Sequence, residues 1–222
     1  MSFSRSNIGS VVFATLLFGS ALTVVSASVI TLQAKPATAT TVEPSSRWLE
    51  RVKAPHRQLF DAPEPQGGIP LVHVMNYYET LNKAFNVKDA DISPVLTFYG
   101  GTTFYGLNDQ MWAKYKIGEF LGLKDAKGEF VTANPWRATP TILGMSLPQA
   151  SIESLSRRGA TFILCNNALG LFSGMLAQKQ ALDPKLVHED MKKNLIPGVE
   201  LIPGMVVAIE QAHRAGLSYH RQ

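Results

Sequence analysis

From residue 69 onward, short runs of consecutive apolar residues alternate with blocks that carry apolar residues at helical spacing. Short apolar runs bounded by glycine, proline or polar clusters are typical of buried strands. We therefore predict strands at residues 69–78, 93–99, 161–165, 199–202 and 217–220. The blocks with helical spacing predict helices at residues 78–85, 110–121, 147–158, 167–179, 183–194 and 203–215.

Turn and capping residues lie at the ends of these predicted helices. Asn108 or Asp109 can cap the helix that follows, and Asp183 precedes a proline at a helix start. Pro203 is the first residue of the last predicted helix, and Gly216 directly follows its end. Proline is favoured at the start of a helix and glycine just after its end. Strands that alternate with helices form a parallel or mostly parallel sheet covered on both faces. The sequence therefore predicts a small, doubly wound, Rossmann-like α/β domain of three layers at residues 69–222.

The N-terminus has the layout of a secretory signal. Residues 1–34 carry a single charge, Arg5, and residues 8–27 form an apolar run that ends in small residues. Val25 and Ala27 suit the positions before a cleavage site, so we predict a signal peptide at residues 1–27 and export, in a bacterial cell to the periplasm. An uncleaved membrane anchor is the alternative, because the apolar character is long enough to span a bilayer.

Residues 28–68 differ from the segments on either side. The stretch 35–68 is rich in proline, alanine, threonine and charged residues, which favours an extended linker. Residues 122–147 form a second irregular stretch with two prolines, and long loops inside compact domains often have a function.

Charge and cysteine content exclude several classes of function. The net charge is +4 and basic residues never cluster beyond a pair, so we expect no nucleic-acid binding. A single cysteine excludes an intramolecular disulfide framework in an exported chain. No spacing of His, Cys, Asp or Glu indicates a metal site, and we predict no cofactor.

The single cysteine, Cys165, ends a predicted strand and directly precedes a helix. Ligands of open α/β sheets bind outside the carboxyl ends of the strands. Backbone N–H groups at a helix start stabilise anions, including a thiolate or a persulfide. Asn166 and Asn167 follow and add amide donors that could orient bound sulfur. A buried cysteine that only fills space is the alternative, since apolar residues flank it on both sides.

Two further groups are candidate ligand-binding residues. Gly100, Gly101, Thr102 and Thr103 follow the second predicted strand, where α/β folds hold anions, although the loop lacks a nucleotide-binding fingerprint. His73 lies in the first predicted strand, where a hydrogen-bonded core histidine is the simplest interpretation. If that strand neighbours the cysteine strand, His73 would place a base near the thiol.

The C-terminal half resembles the DsrE/DsrF-like, or sulfur-relay, family. The resemblance is carried by "RRGATFILCNNAL" and, about thirty residues later, "PGVELIPGMVVAIEQAHRAGLSY". The matching positions are Gly159, Cys165, Asn167, Val199, Pro203, Gly204, Ile209, Gln211, Gly216 and Tyr219. The chain lacks the proline that family members usually carry after the final aromatic strand, and its 122–147 stretch is longer than usual.

This resemblance implies a DsrE-like fold over residues 69–222, and in some members of the family a cysteine relays sulfur as a persulfide. It further implies a homo-oligomer, a trimer or hexamer, with donor or acceptor proteins as partners. We therefore expect a sulfur carrier, at most sulfurtransferase-like, with Cys165 as acceptor. The alternative is a non-catalytic module that binds a small ligand or assembles with other proteins, in which Cys165 only packs.

Overall fold

The computed structural model describes residues 44–222, with side chains from residue 46 onward. The predicted signal segment and the first part of the predicted linker lie outside the described residues. After a 3-10 turn at Pro44–Arg51, the described elements are β1 (His56–Asp61), α1 (Ile69–Phe85), β2 (Ile92–Phe98), α2 (Asp109–Lys114), α3 (Ile117–Leu121), β3 (Thr141–Ile142), β4 (Met145–Ser146), α4 (Ile152–Arg157), β5 (Thr161–Cys165), α5 (Asn166–Lys179), α6 (Pro184–Lys193), β6 (Val199–Ile202), α7 (Met205–Arg214) and β7 (Ser218–Arg221). Within residues 44–222, no helix has the length and apolar content needed to cross a bilayer.

Five strands form one parallel sheet in the order β6-β5-β2-β1-β7. The chain moves one way across the sheet from β1 through β2 and β5 to β6, and then returns past β1 to place β7 at the far edge. Parallel crossovers share one hand, so the returning connection, α7, must pack on the opposite face from the others. The predicted α/β fold with a parallel sheet and helices on both faces is confirmed.

The two sheet faces bury two separate apolar cores. Residues of α1 to α6 pack against one face in the larger core. The turn at Pro44–Arg51 and α7 pack against the other face in the smaller core. Successive strand residues alternate between the two, so Leu164 lies in the larger core and Cys165 in the smaller one. Cys165 therefore faces α7 and the N-terminal turn.

The predicted strand at residues 69–78 is wrong, because this segment is the first part of α1. Its buried residues are Pro70, Leu71, Val74 and Tyr78, and the last three have helical spacing. Pro70 occupies the first turn, where the missing N–H costs nothing. His73 is thus a residue of α1, and it does not lie on a strand beside the one that ends in Cys165.

The linker boundary at residue 68 is also wrong for the part of the segment that is described. Residues 56–61 form β1, which pairs with β2 on one side and β7 on the other. Trp48 in the preceding turn is fully buried in the smaller core. The domain therefore includes residues 44–68, since its sheet would lack an interior strand without them.

Arg158 joins the end of α4 to α1 and to the loop before β2. Its guanidinium lies 4.3 Å from the ring centroid of Tyr78 and donates to Asp89 at 2.8 and 3.1 Å, Glu79 at 2.9 Å and Asn82 at 2.7 Å. The hydrogen bond from Arg158 lowers the pKa of Asp89. We expect Arg158→Met to lower the free energy of unfolding at neutral pH by roughly 2 kcal/mol, because charged hydrogen bonds are lost while the stem still packs.

The effect of this substitution depends on pH in a defined direction. A carboxylate whose pKa is lowered by folding stabilises the fold above its unfolded pKa, about 4, and loses that contribution as the pH falls through its folded pKa. Urea unfolding at pH 7 and again below pH 3 measures this. The difference between wild type and Arg158→Met should shrink in acid, with the exposed neighbour Arg157→Met as control. An equal difference at both pH values would contradict the charge-based explanation.

Candidate functional site

The sheet has a topological switch point between β5 and β6. After β5 the chain enters α5 on the side of the larger core, and after β6 it enters α7 on the side of the smaller core. The two chain segments separate at the carboxyl ends of neighbouring strands, which is where open α/β sheets bind their ligands. Cys165 is the last residue of β5, and its partner across the sheet is Ile202, the last residue of β6.

The sulfur of Cys165 accepts hydrogen bonds from the first turns of two helices. The amide of Ala168 in α5 donates to Sγ at 3.4 Å, and the amide of Met205 in α7 donates at 3.3 Å. The amide of Asn167 donates to the carbonyl of Pro203 at 3.2 Å, which fixes the two helix starts together. Both helices present the positive ends of their dipoles to one sulfur atom. The sulfur is therefore the common acceptor of one backbone N–H from each of the two helix starts.

Cys165 is also well buried, with 5% of its surface exposed. Its side chain contacts the smaller core on one side and the two amides on the other. A reagent must therefore approach the sulfur past the helix starts. The sulfur is thus held by two backbone amides and largely shielded from solvent.

A groove of about 190 Å³ adjoins the cysteine at the switch point. We call it the switch-point groove, and its lining residues are Asn167, Ile202, Pro203, Gly204, Val206, Val207, Ala208 and Gln211. Cys165 does not line it directly. Its sheet partner Ile202 is part of the lining, and Met205, whose amide donates to its sulfur, lies in the chain between the lining residues Gly204 and Val206. The groove therefore adjoins residues that contact Cys165.

The two asparagines after Cys165 have different surroundings. Asn167 lines the groove, and its Nδ2 atom lies 3.3 Å from the position that a side-chain carbon on Gly204 would occupy. Asn166 faces away from the site, because its Oδ1 atom is 3.1 Å from Nε2 of His188 in α6. Of the predicted pair, the structure therefore brings only Asn167 to the groove.

The glycine-rich loop after β2 is held by contacts within the fold, and its predicted ligand-binding role stays a prediction. Thr102 is fully buried and donates to the carbonyl of Ala62 at 2.6 Å, and Thr103 donates to the carbonyl of Gly100 at 2.8 Å. Gly100 and Gly101 lie against the loop after β1, where added side-chain carbons would approach the carbonyl of Pro63 at 2.8 Å and the carboxylate of Glu64 at 2.8 Å. These contacts explain the two glycines, and they leave both threonine hydroxyls occupied within the fold.

His73 lies on the opposite face of the sheet from Cys165. Its Nδ1 atom is hydrogen-bonded to Oε1 of Gln222, and its ring packs edge-on against His220, with the centroids 5.4 Å apart. His220 contacts Phe60 of the larger core. The predicted pairing of His73 with Cys165 as base and nucleophile is therefore wrong.

The 122–147 stretch is anchored to the larger core. Trp136 is buried, with its ring centroid 4.4 Å from that of Tyr105. The side-chain amide of Asn134 donates to the carbonyls of Tyr105 and Leu107 at 2.7 and 2.8 Å. Arg137 forms ion pairs with Asp109 and Glu153. This stretch is ordered by packing and ion pairs, and it does not line the switch-point groove.

A buried carboxylate that sequence reasoning missed lies at the end of β1. Asp61 is 1% exposed and accepts from the hydroxyl of Tyr219 at 2.6 Å, with Arg221 at 3.4 Å. Burial, and then the hydrogen bond to Asp61, raises the pKa of Tyr99. Tyr99 packs against the smaller core, which also contains Cys165. Asp61 was not predicted as a site residue because it lies in the segment interpreted as a linker. The one sequence feature that could have indicated a strand there is that Asp61 follows two apolar residues.

Comparisons with known proteins identify no family. No family model and no curated protein matches this chain. Two solved chains match it, and one is a protein of unknown function, MTH1491 from Methanobacterium thermoautotrophicum, with 13% sequence identity and a TM-score of 0.41. The match covers 75% of this chain and 99% of that chain.

Proposed function

We propose that this protein handles sulfur, with Cys165 carrying sulfane sulfur as a persulfide between a donor and an acceptor. The observation that carries the proposal is the pair of helix-start amides, those of Ala168 and Met205, that donate to one sulfur at the switch point of the sheet. Such donors stabilise a thiolate before sulfur is bound and a charged persulfide afterwards. The resemblance to the sulfur-relay family supports the same chemistry.

The sulfur transfer consists of two balanced exchanges. The Cys165 thiolate attacks the outer sulfur of a donor persulfide, R–S–SH; the donor S–S bond breaks, R–S⁻ leaves, and Cys165–S–SH forms. After the new persulfide has lost its proton, the charge lies on the outer sulfur. In the second exchange the persulfide is protonated again, and an acceptor thiolate attacks its outer sulfur. The S–S bond breaks and the Cys165 thiolate leaves. Neither exchange needs an oxidant, because sulfur passes between groups of the same oxidation state.

Export and oligomerisation belong to the same proposal. The apolar N-terminal pattern supports export to the periplasm, by a cleaved signal peptide or by an uncleaved anchor. The family resemblance supports a homo-oligomer, and a carrier mechanism requires at least transient contact with donor and acceptor proteins.

A second candidate function is a non-catalytic binding module. The 5% exposure of Cys165 favours it, since buried free cysteines often serve only as small apolar residues. In this alternative the switch-point groove binds a ligand or a partner, and the sulfur only caps α5 and packs beneath α7.

The test of the proposal is direct sulfur loading. The folded chain is incubated with cysteine persulfide and freed of donor, and the Cys165 peptide is then examined by mass spectrometry. We expect the peptide to gain one sulfur atom and to lose it again when a small acceptor thiol is added. A chain that gains no sulfur while folded, and only does so in denaturant, would favour the binding module.

A further inference from the structure

A second cavity lies between α1 and the strands β1 and β7, on the face of the sheet that carries the larger core. Its volume is about 240 Å³, and two of the five histidines of the chain, His73 and His220, line it. We call it the histidine cavity. His73 comes from α1 and His220 from β7. Because these elements are distant in the chain, no local sequence spacing could have indicated the pair.

The two imidazole rings are spaced as two ligands of one metal ion are. Their centroids lie 5.4 Å apart. A tetrahedral ion that binds two imidazole nitrogens at about 2.0–2.1 Å holds the ring centroids roughly 5 Å apart. His220 is exposed, and the last torsion of a histidine side chain turns at little cost. Its ring can therefore direct a nitrogen at an ion that His73 binds.

The hydrogen bond of His73 leaves one of its ring nitrogens for a metal ion. Nδ1 contacts Oε1 of Gln222, and because a carboxamide oxygen only accepts, Nδ1 carries the proton. In the neutral ring Nε2 then holds a lone pair. Histidines that bind metals almost always donate their other N–H to an oxygen in this way, which fixes the tautomer and the orientation of the ring. Gln222 thus occupies the place of that outer partner.

The side chains around the histidine cavity select the class of ion. Among the residues that the structure describes, no lysine, arginine or carboxylate lines it. No cationic side chain in the lining therefore repels a metal ion, and no carboxylate offers the oxygen ligands that Mg²⁺ and Ca²⁺ prefer. Imidazole nitrogens suit Zn²⁺ and Cu²⁺.

The cavity also has room for the water that such an ion would keep. In the described part of the chain, no group of three or more His, Cys, Asp or Glu residues is arranged to hold a metal ion. Two imidazoles are thus the protein ligands, and water must complete the coordination. The cavity volume corresponds to roughly eight water molecules at their share of liquid volume.

We infer that the histidine cavity binds one divalent late first-row transition ion, with Nε2 of His73 and a ring nitrogen of His220 as its protein ligands. Such an ion links α1 to the edge strand β7. The site lies on the opposite face of the sheet from Cys165, so the inference does not depend on the proposed function.

Calorimetric titration of the untagged chain with Zn²⁺ tests this inference. We expect one ion per chain and no binding of Mg²⁺ under the same conditions. His73→Asn and His220→Asn should each weaken Zn²⁺ binding at least about ten-fold, because even the loss of an outer partner costs a metal site that much. His213→Asn is the matched control, since His213 is an exposed histidine of α7 outside the cavity lining, and it should leave the affinity unchanged.

Two further measurements separate metal binding from a loss of folding. Neither His73 nor His220 is fully buried, so the fold should tolerate asparagine at both positions, and thermal unfolding without metal checks this. In the wild-type chain, nitrogen NMR of the imidazoles should show that Zn²⁺ shifts Nε2 of His73 while Nδ1 keeps its proton.

The outcomes of these experiments are distinguishable from a failure of the proposed function. If Zn²⁺ does not bind one equivalent, or binds equally well to both cavity variants and the control, the inference is overturned. If Cys165→Ser abolishes Zn²⁺ binding and His73→Asn does not, the sulfur is the ligand and the inference is likewise overturned. Sulfur loading of Cys165 is a separate measurement, and its result stands whichever of these outcomes is found.

Discussion

Trp48→Ala should lower the free energy of unfolding by about 3–5 kcal/mol, the usual cost of removing a fully buried large aromatic side chain. Trp48 has no exposed surface and packs in the smaller core with residues of α7 and with Leu59, Val95 and Ile163 of the sheet. Its indole N–H has no hydrogen-bond partner among the described residues. The loss therefore comes from packing, since the substitution breaks no hydrogen bond of that group.

Urea unfolding of Trp48→Ala, beside the exposed neighbour Arg47→Ala, measures this loss. A total stability of about 5–15 kcal/mol is usual for a domain, so this one side chain would account for a large share. Arg47→Ala should stay within about 0.5 kcal/mol of wild type, as surface substitutions usually do. If Trp48→Ala were equally mild, residues 44–55 would behave as the loose linker that their composition predicts, and their place in the smaller core would be contradicted.

Cys165→Ser should abolish sulfur loading, with a loss of at least about 100-fold, because serine cannot hold a sulfane sulfur and its hydroxyl is a weak nucleophile at neutral pH. The same substitution should change the free energy of unfolding by less than about 1 kcal/mol, because a serine hydroxyl is a favoured N-cap and can accept from the amide of Ala168. Sulfur loading and stability would thus respond separately to one substitution.

Cys165→Ala is the matched control for the structural part of this role. It removes the acceptor of both amides and leaves space in the smaller core, so we expect a loss of about 1–3 kcal/mol. Mass spectrometry of the loaded chains and urea unfolding of all three proteins provide the two readouts. Sulfur bound to Cys165→Ser at the wild-type level would contradict the carrier role and leave the cysteine as a capping residue.

Much of the sheet could be predicted from the sequence, because parallel strands are buried on both faces and so form short apolar runs. The runs at β2, β5 and β6 met this condition and were predicted correctly. The run at residues 69–78 failed because an apolar segment of that length also suits a buried helix. The position of Pro70 in the first helical turn, and the spacing of Leu71, Val74 and Tyr78, favoured the helix and were the available signals.

β1 could not be recognised because only two of its residues are apolar. Leu59 and Phe60 face opposite cores, and the strand also contains His56, Arg57 and Gln58. Its place in the sheet depends on pairing with β2 and β7, which are distant in the chain. That pairing is a tertiary effect that no local pattern records.

The candidate site was only partly predictable for a related reason. The place of Cys165 between a strand and a helix follows from the local sequence, and so does the donor in α5. The second donor, the amide of Met205, comes from a helix forty residues later and depends on the neighbouring positions of β5 and β6. Asn166 and His73 were assigned to the site by proximity in sequence or by a wrong strand, and their contacts in the fold lie elsewhere.

The central claim is that Cys165 accepts and releases sulfur while the chain is folded. Its most direct test is the rate of iodoacetamide alkylation of Cys165 at pH 7.5, measured in the folded chain and in the same chain in urea. The account predicts that iodoacetamide labels Cys165 while the chain is still folded, because a donor persulfide must be able to reach the same sulfur. Labelling that occurs only after unfolding would contradict the account and identify Cys165 as a residue of the core.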